Sequence, residues 1–274
     1  LKEAGAESVA ICFLYSYLDP THEALVKRIV AEEFAEVFVS ASHKVAPEFR
    51  EYERLSTVIV NAYLGPVMKS YLKRLRPRLA EIGATVPPHL TQSNGGVISF
   101  EAAQETPVRT LLSGPSTGVI GALHIGKLAG FENLITFDMG GTSSDVSLID
   151  EGQPKQVSQA TVHGYPIKAP MLDINTVGAG GGSIAYIDSG GLLKVGPRSA
   201  GAVPGPVCYG LGNLEPTVTD ANVVLQTLHP TQLLGGRMKI FQAAADKAIK
   251  GLADRLGLDV VATAQGIISV VIAN

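Results

Sequence analysis

The segment FDMGGTSSD, residues 137–145, brings together the groups that bind a phosphate. Gly140 and Gly141 allow the backbone to reverse direction with positive φ, and they leave no side chain above the turn. Consecutive amide N–H groups in such a turn can point at one anion. The hydroxyls of Thr142 and Ser143 can add hydrogen bonds. We therefore predict that this segment is a hairpin that binds a phosphate group.

Asp138 stands at the end of the strand that enters this turn. Mg²⁺ prefers one or two carboxylates together with phosphate oxygens, so Asp138 is placed to hold it and to take part in catalysis. The alternative is an ordinary Gly-Gly hairpin with an aspartate at its mouth. That alternative accounts for the glycines, but it does not require Asp138, Thr142 and Asp145 as well. We favour the phosphate site.

A second glycine-rich segment, DINTVGAGGGS, covers residues 173–183. Gly180, Gly181 and Gly182 could cradle a phosphate, or they could move when a site closes. Asp173 could act in catalysis, either by binding the metal or by orienting a water molecule. The alternative is a flexible surface loop that carries a solvated aspartate.

The segment GPRSAGAVPGPVCYG, residues 196–210, alternates proline with glycine and predicts a shaped loop. Arg198 could contact a carboxylate or a phosphate, or it could be a solvated surface charge. Cys208 could be an exposed, reactive thiol, but we favour a small buried residue, because free cysteines are most often buried.

Thr219 or Asp220 is predicted to cap a short helix that begins near Ala221, and Asp220 could in addition line the site. Asn222 is a weaker candidate. The histidines show neither HxxxH nor HxH spacing, so the sequence does not support a zinc site. Among them, His163 lies nearest in sequence to the loops described above.

The elements around these segments follow from hydrophobic periodicity. Apolar residues 8–15 and 36–40 predict two strands with a helix between them, which is a βαβ unit. Residues 52–82 have helical spacing. Pro66 and Pro77 are expected to start or kink a helix rather than lie in a straight interior.

Further along the chain, residues 113–118 predict a loop that opens a helix ending near residue 129. Segments 133–138 and 145–150 predict two strands of a three-stranded meander. Residues 171–212 are too rich in glycine and proline for regular structure throughout, which indicates a functional loop. Residues 242–256 predict a helix with an apolar face.

Composition limits the class of protein. The chain has 274 residues, of which 46% are apolar and 17% charged, enough apolar material for one large domain or two modest ones. The net charge of −3, without a basic cluster, argues against nucleic acid or an anionic membrane as partner. Two cysteines and no long apolar stretch predict a cytoplasmic protein. The uncapped ends lead us to expect an internal piece of a longer chain.

Seven segments together resemble the hydantoinase A / 5-oxoprolinase family, and they follow one another over nearly the whole chain. They are EYERLSTVIVNAYLGP, SNGG, LLSGPSTGVIGA, ITFDMGGTSSDVSLI, LDINTVGAGGGSIA, VGPRSAGAVPGPVCYG and PTVTDAN. The family includes ATP-dependent hydantoinases, 5-oxoprolinases, and the ATP-binding subunits of acetone and acetophenone carboxylases. The ordered set is far more specific than any one segment.

The resemblance implies an α/β fold of the actin/hexokinase type, with two lobes and ATP between them. Residues 1–112 would form the C-terminal part of the first lobe, and residues 113–274 the second-lobe domain. The hairpin at 138–142 would hold phosphate and Mg²⁺, helix 117–129 would cross between the lobes, and residues 173–182 would lie near the cleft. The family's first-lobe hairpin and its adenosine-binding segment are not in this sequence, so we expect weak or no catalysis by this piece alone.

The function that the resemblance implies is ATP-dependent opening of a cyclic amide or imide, such as hydantoin, N-methylhydantoin or 5-oxoproline. ATP would phosphorylate the amide oxygen, and water would then attack the ring carbon. A hydantoinase B-type subunit or domain would be the partner. One alternative is the ATP-binding subunit of a ketone carboxylase. A second is an actin-like module that binds nucleotide without catalysis. Relatives with different substrates share these segments.

Overall fold

The structure is a computed structural model that describes residues 1–162 and 164–274. His163, which the sequence singled out among the histidines, lies outside the described residues. The chain is mixed α/β, with long helices and mostly short strands.

The chain divides into two compact units, and each takes two stretches of sequence. Unit 1 consists of Leu1–Ile135 and Ser147–Ile174, and unit 2 consists of Thr136–Val146 and Asn175–Asn274. The predicted division between residues 112 and 113 is a different one, and it stays a prediction.

The α-helices are α1 Thr21–Glu33, α2 Ser42–Val45, α3 Glu51–Glu81, α4 Phe100–Glu105, α5 Ser113–Ala129, α6 Val218–Val224, α7 Gln242–Leu256 and α8 Val260–Ala273. The strands are β1 Ser8–Ile11, β2 Phe38–Ala41, β3 His89–Thr91, β4 Val97–Ser99, β5 Leu134–Met139, β6 Ser144–Asp150, β7 Gln153–Pro154, β8 Gln156–Val157, β9 Ala160–Val162, β10 Tyr165–Ile167, β11 Met171–Leu172, β12 Ile174–Val177, β13 Ser183–Ile187, β14 Leu193–Ser199, β15 Gln232–Leu233 and β16 Met238–Lys239. Short 3-10 segments lie at Pro107–Thr110, Val207–Tyr209 and Leu234–Gly236.

Unit 1 begins with the predicted βαβ unit, which is confirmed. Strands β1 and β2 are parallel, in a register that runs from Ser8 opposite Phe38 to Ile11 opposite Ala41, and α1 is the crossover between them. Parallel neighbours need such a crossover, because the chain must return to the same edge of the sheet.

A buried carboxylate ties together the segments that follow these two strands. Glu23, on α1, is fully buried. Its carboxylate accepts hydrogen bonds from the amides of Phe13 and His43, from the Ser42 hydroxyl at 2.6 Å, and from the His43 ring at 2.8 Å. Burial alone would raise the pKa of Glu23, but the hydrogen bonds from Ser42, His43 and Phe13 outweigh it and lower the pKa below its usual 4.5.

Helix α3 shows that neither of its two prolines starts a helix. Pro66 and Pro77 both lie inside one continuous helix, Glu51–Glu81. A proline in a helix interior costs about 3 kcal/mol, so packing elsewhere must offset it. Val58, before Pro66, packs in one buried cluster, and Leu72, between the prolines, packs in another. Tertiary burial on both sides of Pro66 therefore outweighs the local penalty.

Two loop predictions are wrong in extent. Helix α5 begins at Ser113, so residues 113–118 form its first turns rather than a loop, while its end at Ala129, followed by Gly130 at φ 80°, agrees with the predicted end. The glycine- and proline-rich stretch 171–212 contains four strands, β11 to β14. Its long-range pairing partners could not be read from its composition.

The predicted meander is confirmed. Strands β5, β6 and β7 are sequential neighbours, and the turn into β7 passes through Glu151 and Gly152, both at positive φ. Strand β12, which the sequence did not place, pairs with β6.

Unit 2 is built on three helices and the β13–β14 ribbon. Its largest buried cluster includes Ala185, Val195, Val218, Ile249 and Ile267. The prediction of α7 is confirmed at both ends. The apolar helix α8 was not predicted, since its sequence is apolar almost all round, and Asp259 caps it by accepting a hydrogen bond from an amide of its first turn.

The cap of α6 is one turn earlier than expected. Thr217 is the N-cap, and Asp220 is the third helical residue in a reciprocal capping box. Asp220 is fully buried and accepts hydrogen bonds from the amides of Val207, Cys208 and Thr217 and from the Thr217 hydroxyl. Asp220 therefore holds a loop and a helix together instead of lining an open site.

In the described part of the chain, no single helix is long and apolar enough to cross a membrane. Helices α7 and α8 reach the necessary length and apolar content only as a pair, with an 89° bend between them.

We predict that Glu23→Gln destabilises the protein by about 2–3 kcal/mol at neutral pH, because an amide cannot accept all the buried donors. The folded-state pKa of Glu23 is lowered, so its stabilisation is present above the unfolded pKa and is lost as pH falls through the folded value. The difference in unfolding free energy between wild type and variant should therefore shrink below about pH 4.5. Urea denaturation across pH measures it.

The matched control is Glu32→Gln on the exposed side of α1, where the Arg28–Glu32 pair is 4.0 Å long. That change should alter stability by at most about 0.5 kcal/mol at any pH. A Glu23→Gln difference that stays constant down to pH 3 would contradict the assignment.

Candidate functional site

The hairpin between β5 and β6 consists of residues 140–143. The Gly140 amide donates to the Ser143 carbonyl at 2.8 Å and closes the turn. The expectation of positive φ is wrong, because neither Gly140 nor Gly141 lies in the left-handed region. A Cβ added at Gly141 would meet no atom within 4 Å. The fold itself therefore does not demand glycine at position 141, and the space above it is open.

Carbonyl groups of the hairpin face the second glycine segment. The Gly181 amide donates to the Gly140 carbonyl at 3.0 Å, and the Gly182 amide donates to the Gly141 carbonyl at 2.6 Å. The sequence placed both segments near the same site, and the structure brings them into direct contact. The amides of Gly181 and Gly182 are therefore already used within the protein.

This contact fixes the direction of the hairpin amides. In a trans peptide the N–H and C=O groups of one planar unit point in opposite directions. Because the Gly140 and Gly141 carbonyls point at the second glycine segment, the next amides, of Gly141 and Thr142, point away from it. Over residues 1–162 and 164–274, no acceptor takes a hydrogen bond from the amides of Gly141, Thr142 or Ser143. Three consecutive donors of this kind can bind an anion.

The close approach of the two segments depends on glycine in the second one. A Cβ at Gly180 would lie 2.7 Å from backbone atoms of Thr142, and one at Gly182 would lie 2.8 Å from the Gly141 carbonyl oxygen. The Gly180 amide donates to the Ser183 hydroxyl at 2.9 Å. All three predicted glycines therefore have occupied amides and pack against the back of the hairpin.

Two further residues, which the sequence did not single out for this role, secure the packing. The buried Ser144 hydroxyl, at the start of β6, donates to the Ala179 carbonyl at 2.6 Å. The Thr219 amide, on α6, donates to the Gly181 carbonyl at 2.8 Å. The glycine segment thus lies between the hairpin and α6. Local sequence carries no sign of either bond, since each joins residues more than 30 positions apart.

Asp138 is exposed near the end of β5. The ion pairs formed by the described residues do not include it. Asp145, at the other side of the hairpin, accepts a hydrogen bond from the Thr176 hydroxyl at 2.6 Å. No group of three or more metal-binding side chains occurs among the described residues. A cation at Asp138 would therefore complete its shell with phosphate oxygens and water.

Asp173 belongs to unit 1 and is half-buried. Its carboxylate lies 3.0 Å from the Lys155 ammonium, and its amide donates to the Lys155 carbonyl at 2.8 Å. Lys155 therefore balances the charge of the predicted catalytic Asp173. Helix α5, which was predicted to cross between lobes, also belongs to unit 1.

Arg198 pairs with the exposed carboxylate of Glu215 at 2.7 Å, and that hydrogen bond raises the pKa of Arg198.

The prediction that Cys208 is buried is confirmed. Burial, reinforced by the negative charge of Asp220, raises the pKa of the Cys208 thiol far above its usual value. Cys208 is therefore an unreactive thiol.

Beside the hairpin, unit 2 contains a mainly apolar groove of about 480 Å³. Phe137 and Met139 of β5 line it together with Ile268 and Ile272 of α8. Asn222, the weaker sequence candidate, lines the same groove, and its side-chain oxygen accepts a hydrogen bond from the Thr227 hydroxyl.

The sequence profile of the Hydantoinase/oxoprolinase family matches residues 54–274, and that of the Hydantoinase/oxoprolinase N-terminal region matches residues 1–34. The chain belongs to the hydantoinase/oxoprolinase family. The alpha subunit of caprolactamase from Pseudomonas jessenii is 44% identical over 98% of this chain and 39% of its own. The 5-oxoprolinase of Saccharomyces cerevisiae is 40% identical over 84% of this chain and 18% of its own.

Solved structures of family members agree with this fold. The nucleotide-free structure of acetone carboxylase superposes with a TM-score of 0.87 at 34% identity, covering 100% of this chain and 39% of that one. The ATP-dependent caprolactamase of Pseudomonas jessenii superposes with a TM-score of 0.79 at 44% identity, covering 98% and 39%. The predicted α/β fold of actin/hexokinase type is confirmed. This chain spans about two-fifths of the length of these two relatives.

The glycine contacts predict that alanine destabilises the protein at position 180 but has little effect at position 141. Gly180→Ala should lower the free energy of unfolding by about 1–3 kcal/mol, because its Cβ would collide with the Thr142 backbone. Gly141→Ala should change it by less than about 1 kcal/mol, because its Cβ meets open space at an ordinary φ. Chemical denaturation of both variants beside wild type measures the difference. Equal effects would show that the hairpin does not rest on the glycine segment.

Proposed function

We propose that this chain supplies the phosphate-binding hairpin of an ATP-dependent enzyme that opens cyclic amides. The observation that supports the proposal is the row of amides at residues 141–143, to which the described residues offer no acceptor. The glycine segment holds the Gly140 and Gly141 carbonyls, which lie behind the first two of these amides. Phosphate oxygens only accept hydrogen bonds, so they match a surface of donors. The open space above Gly141 lets a phosphate approach the backbone.

Each hairpin residue has a proposed role. The amides of Gly141, Thr142 and Ser143 and the Thr142 hydroxyl donate to phosphate oxygens, and Gly140 closes the turn. Asp138 holds Mg²⁺, which neutralises charge on the phosphates when it is bound. Asp138 is an exposed carboxylate that forms no ion pair with the described residues and lies beside a surface of donors, which fits a cation that is shared with a phosphate.

We assign Gly180, Gly181 and Gly182 to positioning rather than to direct contact with the nucleotide. Their amides are used by Ser183 and by the hairpin, and their lack of side chains permits the contact. For Asp173 we propose a role in orienting the attacking water, with Lys155 balancing its charge until substrate binds.

The names of two relatives, caprolactamase and 5-oxoprolinase, support a cyclic amide as the substrate. The amide oxygen would take the γ-phosphoryl group of ATP, and ADP would leave. Water then adds to the ring carbon and the C–N bond breaks, and a second water releases inorganic phosphate from the resulting acyl phosphate. Transfer of the phosphoryl group makes the ring carbon electrophilic, which is why ring opening consumes ATP.

A ketone carboxylase subunit is the second candidate, because acetone carboxylase superposes with a TM-score of 0.87. In that case the phosphoryl group would pass to bicarbonate or to an enol. An actin-like module without catalysis is the third, and it would bind ATP without substrate-dependent turnover.

The caprolactamase relative is named as a subunit, which supports a companion such as a hydantoinase B-type protein. Two free cysteines favour the cytoplasm.

We predict that Asp138→Ala weakens binding of a non-hydrolysable ATP analogue by at least about tenfold in the presence of Mg²⁺, since one ligand and its charge are removed. Isothermal titration of the full-length natural protein measures the dissociation constant. The control is Asp254→Ala, an exposed carboxylate paired with Lys250 on α7, which should leave binding unchanged. Unchanged binding by Asp138→Ala would remove the hairpin from the ATP site.

The substrate class is tested by ATP hydrolysis in the full-length protein with its companion subunit. We expect ADP release to be stimulated by 5-oxoproline, hydantoin or caprolactam, with one ring opened for each ATP consumed. Stimulation only by a ketone with bicarbonate would support the carboxylase instead. ATP binding without stimulation by either class would support the module without catalysis.

A further inference from the structure

Ser199 stands where β14 ends and touches the hairpin with its side chain. Its hydroxyl oxygen lies 3.4 Å from the Thr142 hydroxyl and 3.5 Å from the Gly141 carbonyl oxygen. A Cβ at Gly182 would come within 2.9 Å of the same hydroxyl. Absence of a side chain at position 182 therefore allows Ser199 to reach the hairpin.

The backbone on both sides of Ser199 is fixed. Ser199 pairs with Ser183 in the β13–β14 ribbon, and the Ala200 amide donates to the Gly182 carbonyl at 2.8 Å. The ladder shifts register between Ser183 and Ala185, and this end of the ribbon lies against the glycine segment. The position of the hydroxyl is therefore set by the same packing that holds the hairpin.

The Ser199 hydroxyl can accept one hydrogen bond and donate another. The Gly201 amide donates to the Ser199 hydroxyl at 3.1 Å, so Ser199 acts as an acceptor on that side. Its own proton can then be donated to the hairpin, either to the Thr142 hydroxyl or to the Gly141 carbonyl oxygen. When Thr142 accepts this bond, its own proton stays available for an outside acceptor.

We propose that Ser199 is a positioning residue that orients the Thr142 hydroxyl so that its proton points at a phosphate oxygen. The inference rests on the proposed function of the hairpin and extends it to a residue 57 positions away in sequence. Without Ser199, the Thr142 hydroxyl could rotate and donate to the protein instead of to the phosphate. Ser199 itself need not touch the nucleotide.

A double-mutant cycle tests the proposal in the full-length natural protein. Ser199→Ala should weaken binding of Mg²⁺ with a non-hydrolysable ATP analogue by about fivefold, the size of one ordinary hydrogen bond. In a Thr142→Val background, the same change should weaken binding by less than about twofold, because the hydroxyl through which it acts is gone. Ser199→Thr keeps the hydroxyl and should restore most of the affinity.

The matched control is Ser269→Ala on α8, where the exposed hydroxyl donates to the Gln265 carbonyl of its own helix. It should leave binding unchanged in both backgrounds. Equal losses from Ser199→Ala with and without Thr142, or no loss in either, would overturn the positioning role while leaving the hairpin assignment intact. Wild type that binds no ATP analogue would instead overturn the proposed function and this inference together.

Discussion

The contact between two glycine-bearing backbone segments is the constraint on which the site depends. Carbonyls of Gly140 and Gly141 are held by the amides of Gly181 and Gly182. Planar trans peptides then force the following amides to the opposite side, where the residues that the structure describes offer them no acceptor. A β-hairpin alone would not fix its free amides in this way. The packing behind the hairpin, and not only the hairpin's own sequence, therefore produces a surface of donors.

The same contact explains which roles of the glycines could be predicted from the sequence and which could not. The residue types at 137–145 predict a phosphate site, but they suggest the wrong reason for its glycines, which do not have positive φ. For the glycines at 180–182, sequence predicts a cradle, whereas their amides are occupied and they support the hairpin from behind. Some glycines are needed because the backbone of a segment about 40 residues away leaves no room for a side chain, and others because a ligand does. The sequence alone does not distinguish these two cases.

The prediction of secondary structure from the sequence is limited in a similar way. Segments with strong local periodicity, such as the βαβ unit and α7, were predictable because their pattern alone selects the element. Helix α3 passes through Pro66 because clusters on both sides bury its face, a benefit that only the tertiary structure reveals. Strand β14 contains glycine and proline, and it forms because β13 supplies its pairing partner. The elements that were not predicted from local sequence are therefore those that residues distant in sequence stabilise.

The proposed reliance on backbone donors is compatible with the negative net charge of the chain. Residues 137–145 contain no lysine or arginine, and the net charge is −3, so a polyanion would gain little from side-chain attraction. Amide dipoles carry only partial charges, and flexible amides would be satisfied by water. Their usefulness depends on being held in place before the anion arrives, since orientation is then not lost on binding. In the proposed site, rigidity behind the hairpin, supplied by Gly180–Gly182 and extended by Ser199, would take the place of cationic side chains, of which residues 137–145 contain none.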